Sequence, residues 1–598
     1  MTHLSDREIN GYIHHTLTDA QRETMDRHII ECPRCRTQVQ DAERLRRQMS
    51  YDLAADLRRT RPSGHMRFNQ IQKGLNRRRR WTNINFYTMQ VVSTGSIALA
   101  LFALVYVTFS LMGVTAANNP EAALNALDIP RLFSEEWLDP TPYQSSLITS
   151  EQTALEQLTT APIYHLDINV SDDLQWINGR QQLRTVNNSG QPLHELIFHL
   201  YPNGTYADLS VSEVFVNGRN ARFHLLDGER ALYVELPRTL RAGQTAVVQM
   251  AFELSAGRTW QTAQAASQSY HQLLHLIQFH PTLAVYNPES GWDMTPPAHN
   301  ISNNNTNNFY RVRIIAPARL TLLSSGSVTG RKLLGNGDKL QQVVTIAAGP
   351  VNNFYLTVSD RFQVAVEGVV GQTRITSYAH SARLLLSANE SLAAAQAVLA
   401  EYNRLFGPYP YTELDIVNVP TLAFTQRGAS YSGIILLEHD PYVYTNLSNE
   451  HSVLTQVGRQ WFDTAVAPHQ LTHPWLADGL AEYAARYYYA AAKGNTARQQ
   501  LENSWQVRSH LSSAPLGLPA AAYGKLDYFN AMYSQTPLFL AAVAEAMGQE
   551  QFNNFLRHYI QTYKWGGGDT AAFQQLAEQH CDCDLEPVFT KWFITPDP

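Results

Sequence analysis

Three metal-ligating side chains lie close together near the beginning of the chain. His28, Cys32 and Cys35 have the spacing Hx3CxxC. A helix places residues i and i+4 on one face, and a CxxC turn brings the second thiolate beside the first. Thiolates and imidazoles are ligands of structural zinc, which takes four of them in a tetrahedron. We therefore predict a structural zinc ion held by these three residues and one further ligand.

The fourth ligand and the chemistry of the CxxC pair leave alternatives open. We assign the fourth position to His3, with His14 or His15 as the alternatives. A CxxC pair also occurs in redox sites, but those lie between a strand and a helix, a context that this segment lacks. The chain has only 4 cysteines, too few for a disulfide framework. The other two, Cys581 and Cys583, either form a close disulfide or remain thiols, and neither state suggests catalysis.

The zinc-ligand segment resembles a known family. The run HLSDREINGYIHHTLTDAQRETMDRHIIECPRCRTQV is similar to the zinc-finger domain of zinc-associated anti-sigma factors, although His14 and His15 replace its usual Asp-Gly pair. The resemblance implies a zinc-finger domain over 1–50 and a sigma factor, or another cytoplasmic regulator, as its partner. The helix expected over 37–60 either binds that partner or is a solvated helix next to the membrane.

A long uncharged segment follows a run of arginines. Residues 81–120 contain no Asp, Glu, Lys or Arg, and 89–114 is long enough to cross a hydrocarbon core of about 30 Å. The four arginines at 77–80 lie before it, within a basic juxtamembrane helix or linker over 51–84. Because positive charge stays inside, we predict one transmembrane helix over 85–115 in the inner (cytoplasmic) membrane, with a cytoplasmic N-terminus. The alternative for the uncharged segment is a buried core helix. The alternative for the arginine run is a nucleic-acid patch, but we expect no direct nucleic acid binding.

Charge divides the chain in the same way. The formal net charge is −6, but residues 1–84 hold 17 Lys and Arg against 10 Asp and Glu, which leaves the rest strongly acidic. Such asymmetry indicates parts that face different surroundings, or simply two unrelated domains. With 598 residues, 44% hydrophobic and 16% charged, the chain is not mainly disordered, collagenous or fibrous. Several folded domains are expected.

The part beyond the predicted span changes its sequence pattern twice. Residues 116–160 are polar and contain prolines, as is typical of a linker. Over 161–365, alternating segments such as HELIFHLYPN and AVVQMAFEL between Gly, Asn and Pro turns predict a mostly antiparallel β domain. Over 366–598, apolar residues recur every three to four positions, which predicts helices. The expected fold class is multidomain α+β.

Several segments in this order resemble aminopeptidase N-type gluzincin metallopeptidases. They are LHELIFHLYPNG, YNRLFGPYPYTELDIV and PWLADGLAEYAARYY. The resemblance covers about 160–598 and implies a β saddle domain over 161–365, followed by a thermolysin-like domain over 366–598. It also implies a zinc-dependent aminopeptidase, provided that the catalytic residues are present, because a fold alone does not determine activity.

The catalytic positions of that family are changed in this chain. Zinc hydrolysis needs two histidines at i and i+4, a third carboxylate ligand and a glutamate base. The family string HExxHQW aligns with 455–461 through the shared Gln-Trp, so Thr455, Gln456 and Arg459 take the places of both histidines and the base. Asp478 takes the place of the third ligand, 19 residues further on. We therefore expect no catalytic zinc, and we predict that Arg459 and Asp478 form an ion pair in its position.

The residues that grip and polarise the substrate in this family are also altered. Its GxMEN-like motif, whose glutamate binds the substrate's amine, corresponds to RGASYSG, which places Ser430 or Tyr431 at that glutamate. Neither is a carboxylate. Tyr533 matches the tyrosine that steadies the oxyanion, or it is a core residue. His469 and His473 could rebuild a metal site, but the prolines around APHQLTHP argue against a helix there.

These patterns lead to one main hypothesis. The chain is a single-pass membrane protein with a cytoplasmic zinc finger and an inactive, extracytoplasmic aminopeptidase-like domain. That domain binds a peptide or protein, with the aromatic residues at 487–489 and Tyr431 lining the cleft, or signals to a regulator such as a sigma factor. Two alternatives stay open: an active membrane-anchored zinc metallo-aminopeptidase with a rebuilt metal site, and an ectodomain that is only a spacer with those aromatics in its core.

Overall fold

The computed structural model describes residues 133, 136–204, 207–256, 267–270, 272–295, 298, 307–420, 428–439 and 446–593. These residues belong to one compact unit, Asn118–Pro598. The predicted zinc finger and the predicted transmembrane helix lie outside the described residues. Within the described residues, no helix is both long and apolar enough to cross a bilayer.

Strands dominate the first part of the described chain. Their bounds are β1 (Ile163–Val170), β2 (Trp176–Val186), β3 (Leu193–His199), β4 (Asp208–Val216), β5 (Arg219–Asn220), β6 (Phe223–Leu226), β7 (Ala231–Leu240), β8 (Thr245–Ser255), β9 (Ser267–Tyr270), β10 (Leu273–Ile277), β11 (Thr282–Leu283), β12 (Tyr286–Asn287), β13 (Gly291–Trp292), β14 (Asn308–Pro317), β15 (Thr321–Ser324), β16 (Ser327–Leu334), β17 (Gln341–Val351) and β18 (Tyr355–Ser359). In β2 every second residue is buried, including Ile177 and Leu183, as the alternation in the sequence predicts.

An eight-stranded sheet, with the order β16-β17-β14-β1-β2-β8-β4-β5, forms the main layer of this part. Its neighbouring strands are antiparallel except β1 and β14, which run parallel with Ile163 opposite Phe309. This sheet is therefore mostly antiparallel, as the sequence predicts, and its parallel pair needs a long crossover rather than a hairpin. Two four-stranded sheets, β15-β18-β10-β9 and β11-β3-β7-β6, pack with it.

The second part contains a mixed sheet and helices. Its strands are β19 (Gln363–Val370), β20 (Thr373–Ala379), β21 (Glu413–Pro420), β22 (Gly428–Tyr431) and β23 (Ile434–His439), in the order β19-β20-β21-β23-β22. Strands β20, β21 and β23 are parallel and the two outer strands are antiparallel. The described helices of the chain are α1 (Thr141–Gln144), α2 (Ala154–Gln157), α3 (Leu385–Phe406), α4 (Asn446–Arg459), α5 (Asp478–Tyr488), α6 (Asn495–Ser509), α7 (Lys525–Asn530), α8 (Thr536–Met547), α9 (Gln549–Tyr563), α10 (Thr570–Cys581) and α11 (Glu586–Trp592).

Part of the segment expected to be a linker is folded onto the core. Helices α1 and α2 lie within the predicted linker over 116–160, and Tyr143 and Leu147 are buried. Leu147 bridges to Tyr411 of the second part, and Glu151 forms an ion pair with Lys564 at 2.8 Å. The polar composition of this segment did not predict these contacts, because only a few of its residues make them.

Candidate functional site

The residues aligned with the zinc motif lie on two adjacent helices. Thr455, Gln456 and Arg459 are on α4, and Asp478 is the first residue of α5. Residues 455 and 459 share one helix face because of their i, i+4 spacing. Thr455, Gln456 and Asp478 are all buried. The fold thus brings together the side chains at the aligned ligand positions.

Two glycines hold the start of α5 in place. A Cβ atom on Gly458 would lie 3.2 Å from the carbonyl oxygen of Ala481, so α4 and α5 cross at close range. A Cβ atom on Gly479 would lie 2.2 Å from Cγ2 of Thr536, at the start of α8. Since real Cβ atoms do not approach so closely, Gly479 allows α5 to seat against α8 and thereby positions Asp478.

Arg459 is the centre of a buried ionic cluster. Its Nε and Nη2 atoms donate to Oδ2 of Asp463 at 3.1 and 2.6 Å, and its Nη1 atom donates to Oδ1 of Asp478. The Tyr528 hydroxyl donates to Oδ2 of Asp478 at 2.8 Å, and the Gln470 amide donates to Asp463. The side chains of Arg459, Asp463 and Asp478 are only 14%, 6% and 3% exposed. The predicted Arg459–Asp478 ion pair is confirmed.

Asp463 is the member of this cluster that the sequence argument missed. It lies in a π-helical turn, Gln460–Ala465, that continues α4 directly. The signal was present, because oppositely charged residues at i and i+4 face each other on a helix. The motif alignment ended at Trp461, so it did not reach this carboxylate.

The cluster keeps Arg459 charged, but it does not fully offset the cost of burying the Asp463 carboxylate. Burial alone would lower the pKa of Arg459, but Asp478 and Asp463 raise it well above its ordinary value. Burial raises the pKa of Asp463, and the nearby Arg459 offsets only part of that shift. Two buried carboxylates therefore share one guanidinium, which makes the arginine essential to both.

The side chains at this position do not fit a catalytic zinc ion. The Thr455 hydroxyl donates to the carbonyl oxygens of His451 and Ser452 at 3.3 and 3.1 Å, so it is bonded to its own helix. The Arg459 guanidinium has no lone pair for a metal and repels a dication. Among the described residues, no group of three or more His, Cys, Asp or Glu is arranged to hold a metal ion.

Comparisons with known proteins point to one peptidase family. Residues 390–592 match the Peptidase family M1 domain. The chain is 26% identical over 241 residues to human Aminopeptidase RNPEPL1 and 23% identical over 303 residues to Aminopeptidase 2 of Candida albicans. Those alignments cover 36% and 47% of this chain and 32% of each relative, so the chain spans about a third of the length of these relatives.

A solved structure extends this likeness to the fold. The M1 zinc metallopeptidase from Deinococcus radiodurans superposes with a TM-score of 0.56 at 19% identity, over 76% of this chain and 96% of that chain. Residues 390–592 form an M1 aminopeptidase-like domain. The β-rich part before this M1-like domain and the helices within it reproduce the arrangement that the resemblance implied.

In the M1-like domain, the two candidates for the amine-binding position point in different directions. The Ser430 hydroxyl donates to the carbonyl oxygen of Gln456 at 3.1 Å and accepts from the Gln460 amide at 2.5 Å. Tyr431 stacks on Tyr355 with ring centroids 4.3 Å apart. Burial raises the pKa of Tyr431, and the positive charge of Arg459 opposes that shift. Neither position supplies a carboxylate.

Tyr533, aligned with the oxyanion tyrosine, also lies beside the cluster. It occupies a π-helical turn, Ala531–Gln535, between α7 and α8. Burial raises its pKa well above the ordinary value, Asp478 adds to that shift, and Arg459 opposes it. Tyr533 thus lies near both Asp478 and Arg459.

The two histidines proposed for a rebuilt metal site have separate partners. Nε2 of His469 lies 3.2 Å from Oδ2 of Asp293, whereas Nδ1 of His473 lies 3.1 Å from Oγ1 of Thr570. Both histidines lie between the helices, as the prolines predict. These contacts do not support a rebuilt site there.

Two other open alternatives are decided by the structure. Cys581 and Cys583 form a disulfide. Of the aromatic residues proposed to line the cleft, Tyr487 packs inward: its ring lies against Phe406, and its hydroxyl donates to Asn553 at 2.6 Å. The core interpretation is therefore the better one for Tyr487.

A second ionic pair, His451–Glu482, was missed in the sequence; it lies one helical turn from Asp478 along α5 and two turns from Arg459 along α4. Nε2 of His451 lies 3.0 Å from Oε2 of Glu482, whose Oε1 accepts from the Trp505 indole at 2.7 Å. Burial alone would lower the pKa of His451, but Glu482 raises it above the ordinary value. No motif marks this pair, because it arises only from the crossing of α4 and α5.

Proposed function

We propose that the M1-like domain binds a peptide or an extended protein segment without cleaving it. The observation that carries this proposal is Arg459, which lies between Asp463 and Asp478 where the family alignment puts a zinc ligand. Hydrolysis in this family relies on a metal ion and a carboxylate base. Here the aligned side chains are an arginine and two neutral groups, Thr455 and Gln456.

The sheet supports binding by strand addition. Strand β22 is an outer strand of the five-stranded sheet as described, and it lies directly beside α4 through the Ser430–Gln456 contact. An extended peptide can add to such an edge through main-chain hydrogen bonds, which tolerate many sequences. One crystal structure of the Deinococcus radiodurans metallopeptidase contains a Tyr-ser-ala substrate, which supports peptides as the ligand class.

We further propose that this domain is attached to a membrane and to a cytoplasmic regulator. The proposal rests on the uncharged segment at 89–114, the arginines at 77–80 and the spacing of His28, Cys32 and Cys35. The N-terminal finger would hold structural zinc, and a sigma factor is the partner that its resemblance suggests. Binding of a peptide outside the membrane would then be signalled to the cytoplasmic regulator.

The test separates binding from cleavage and asks whether a free amine matters. The full-length protein, purified in detergent with zinc supplied, is incubated with matched pairs of peptides that differ only in N-terminal acetylation. Because Ser430 or Tyr431 replaces the amine-binding glutamate, we expect saturable binding of both members and recovery of both intact by mass spectrometry. Chelator-sensitive release of N-terminal residues from the free-amine peptide alone would overturn the proposal.

A further inference from the structure

Two histidines face each other on the surface, in a region that the proposed function does not use. Nδ1 of His558 on α9 lies 2.6 Å from Nε2 of His580 on α10, with ring centroids 4.9 Å apart. His558 is exposed and His580 is partly exposed. The pair lies outside the ionic cluster of Arg459 and shares none of its residues.

The chemistry of two facing imidazole nitrogens favours a metal ion. Two nitrogens at hydrogen-bond distance can hold only one proton between them, so at least one presents a lone pair. The neutral form of an imidazole is the one that ligates metals. A divalent ion can replace the shared proton and accept both lone pairs after small ring rotations.

The framework around the pair holds both imidazoles in place. Phe555 of α9 packs edge-on against Phe573 of α10, with ring centroids 4.8 Å apart. Its ring centroid also lies 5.9 Å from that of His580, so these contacts join α9 to α10. The disulfide between Cys581 and Cys583 closes the turn directly after His580. A metal ion would therefore meet two ligands whose backbones are already fixed, which reduces the entropic cost of binding.

The local electrostatics favour a cation. His580 lies in the last turn of α10, where the helix dipole is negative. The chain has no Lys or Arg between Lys564 and Lys591, whereas that stretch contains several acidic residues. The nearest arginine in sequence, Arg557, donates instead to the carbonyl oxygens of Arg404 and Leu405.

We propose that His558 and His580 are the protein ligands of a site for a divalent transition-metal ion. Imidazole suits copper, zinc and nickel, and copper(II) binds most tightly in this series. Since no group of three or more ligand residues converges among the described residues, water would complete the coordination. The site would link α9 to α10 and would be independent of the peptidase-like cleft.

The test uses copper(II) on the full-length, zinc-loaded protein and compares variants with the same N-terminal segment, so that copper taken up by the predicted finger is common to all of them. We compare the wild type with H558Q and H580Q, and with H510Q as the control, since His510 is a single exposed histidine on another segment. Loss of a residue that merely hydrogen-bonds to a ligand costs about 10–100-fold in metal affinity. Loss of a ligand should cost at least as much, so both test variants should bind copper at least tenfold more weakly.

Two further measurements separate a metal site from a simple hydrogen bond. Electron paramagnetic resonance should show hyperfine coupling to two imidazole nitrogens in the wild type and in H510Q, and to at most one in H558Q and H580Q. Copper should also raise the unfolding temperature of the wild type and of H510Q but not of the test variants, because a ligand that binds only the folded state stabilises it. Equal copper uptake and equal spectra in all four proteins would overturn the proposal.

Discussion

Replacing Arg459 by methionine is the perturbation to which the ionic cluster should be most sensitive. The substitution removes three hydrogen bonds to Asp463 and Asp478, whose side chains are 6% and 3% exposed. The donors from Tyr528 and Gln470 would then remain beside these carboxylates, with no positive charge from Arg459. Removing one partner of a buried ion pair costs about 3–5 kcal/mol, so we expect R459M to lower the free energy of unfolding by that amount.

A matched control separates burial from charge. Arg404 also forms an ion pair, with Glu401 at 2.7 Å, but its side chain is 66% exposed. An exposed pair contributes about 0–1 kcal/mol, so R404M should change the free energy of unfolding by no more than that. Urea unfolding followed by tryptophan fluorescence measures both variants against the wild type. The free energies are compared only where the slope of free energy against urea concentration is unchanged.

The deficit of R459M should also depend on pH. Without Arg459, burial leaves the pKa of Asp463 raised with no guanidinium to offset it. A carboxyl group whose folded pKa exceeds its unfolded value destabilises the fold above the unfolded pKa, so the deficit should grow as pH rises above about 4. Equal stability losses in R459M and R404M, or a deficit that shrinks as pH rises, would refute the buried cluster.

Three further predictions concern the same helices. The substitution G479A should lower the free energy of unfolding by about 1–3 kcal/mol, because its Cβ atom would clash with Thr536, and urea unfolding measures this. H451Q should cost more stability at pH 6 than at pH 8.5, because the raised pKa of His451 makes its pairing with Glu482 strongest below the unfolded pKa; an equal cost at both values would argue against that pairing. A variant that rebuilds the family motif carries T455H, Q456E, R459H and D478E. Elemental analysis should find one more zinc ion per chain in this variant than in the wild type. No gain in zinc would argue against the alignment.

The contact between Arg459 and Asp478 could be predicted from the spacing of residues in the sequence. The i, i+4 spacing on one helix and the interval to Asp478 were sufficient to predict the Arg459–Asp478 pair. Asp463 was missed because the alignment stopped at the motif, although its i+4 spacing to Arg459 was visible. The His451–Glu482 pair could not be found, since it depends on the angle at which α4 and α5 cross.

The fold shows the same division between local and long-range information. Alternation in β2 and the three-to-four spacing in α3 are local patterns, and both elements are present as expected. The parallel pairing of β1 with β14 joins segments that are far apart in sequence, and no local pattern specifies it. The packing of Tyr143 and Leu147 likewise depends on a partner surface formed elsewhere in the chain.

The most direct test of the central claim is a zinc-edge anomalous diffraction map of crystals grown with zinc supplied. Such a map locates zinc atoms individually, so it separates the cleft from the predicted finger and from the His558–His580 pair. We predict no peak between α4 and α5, with the Arg459 guanidinium lying between Asp463 and Asp478. A strong peak within ligand distance of Asp478, with Arg459 turned away, would contradict the account.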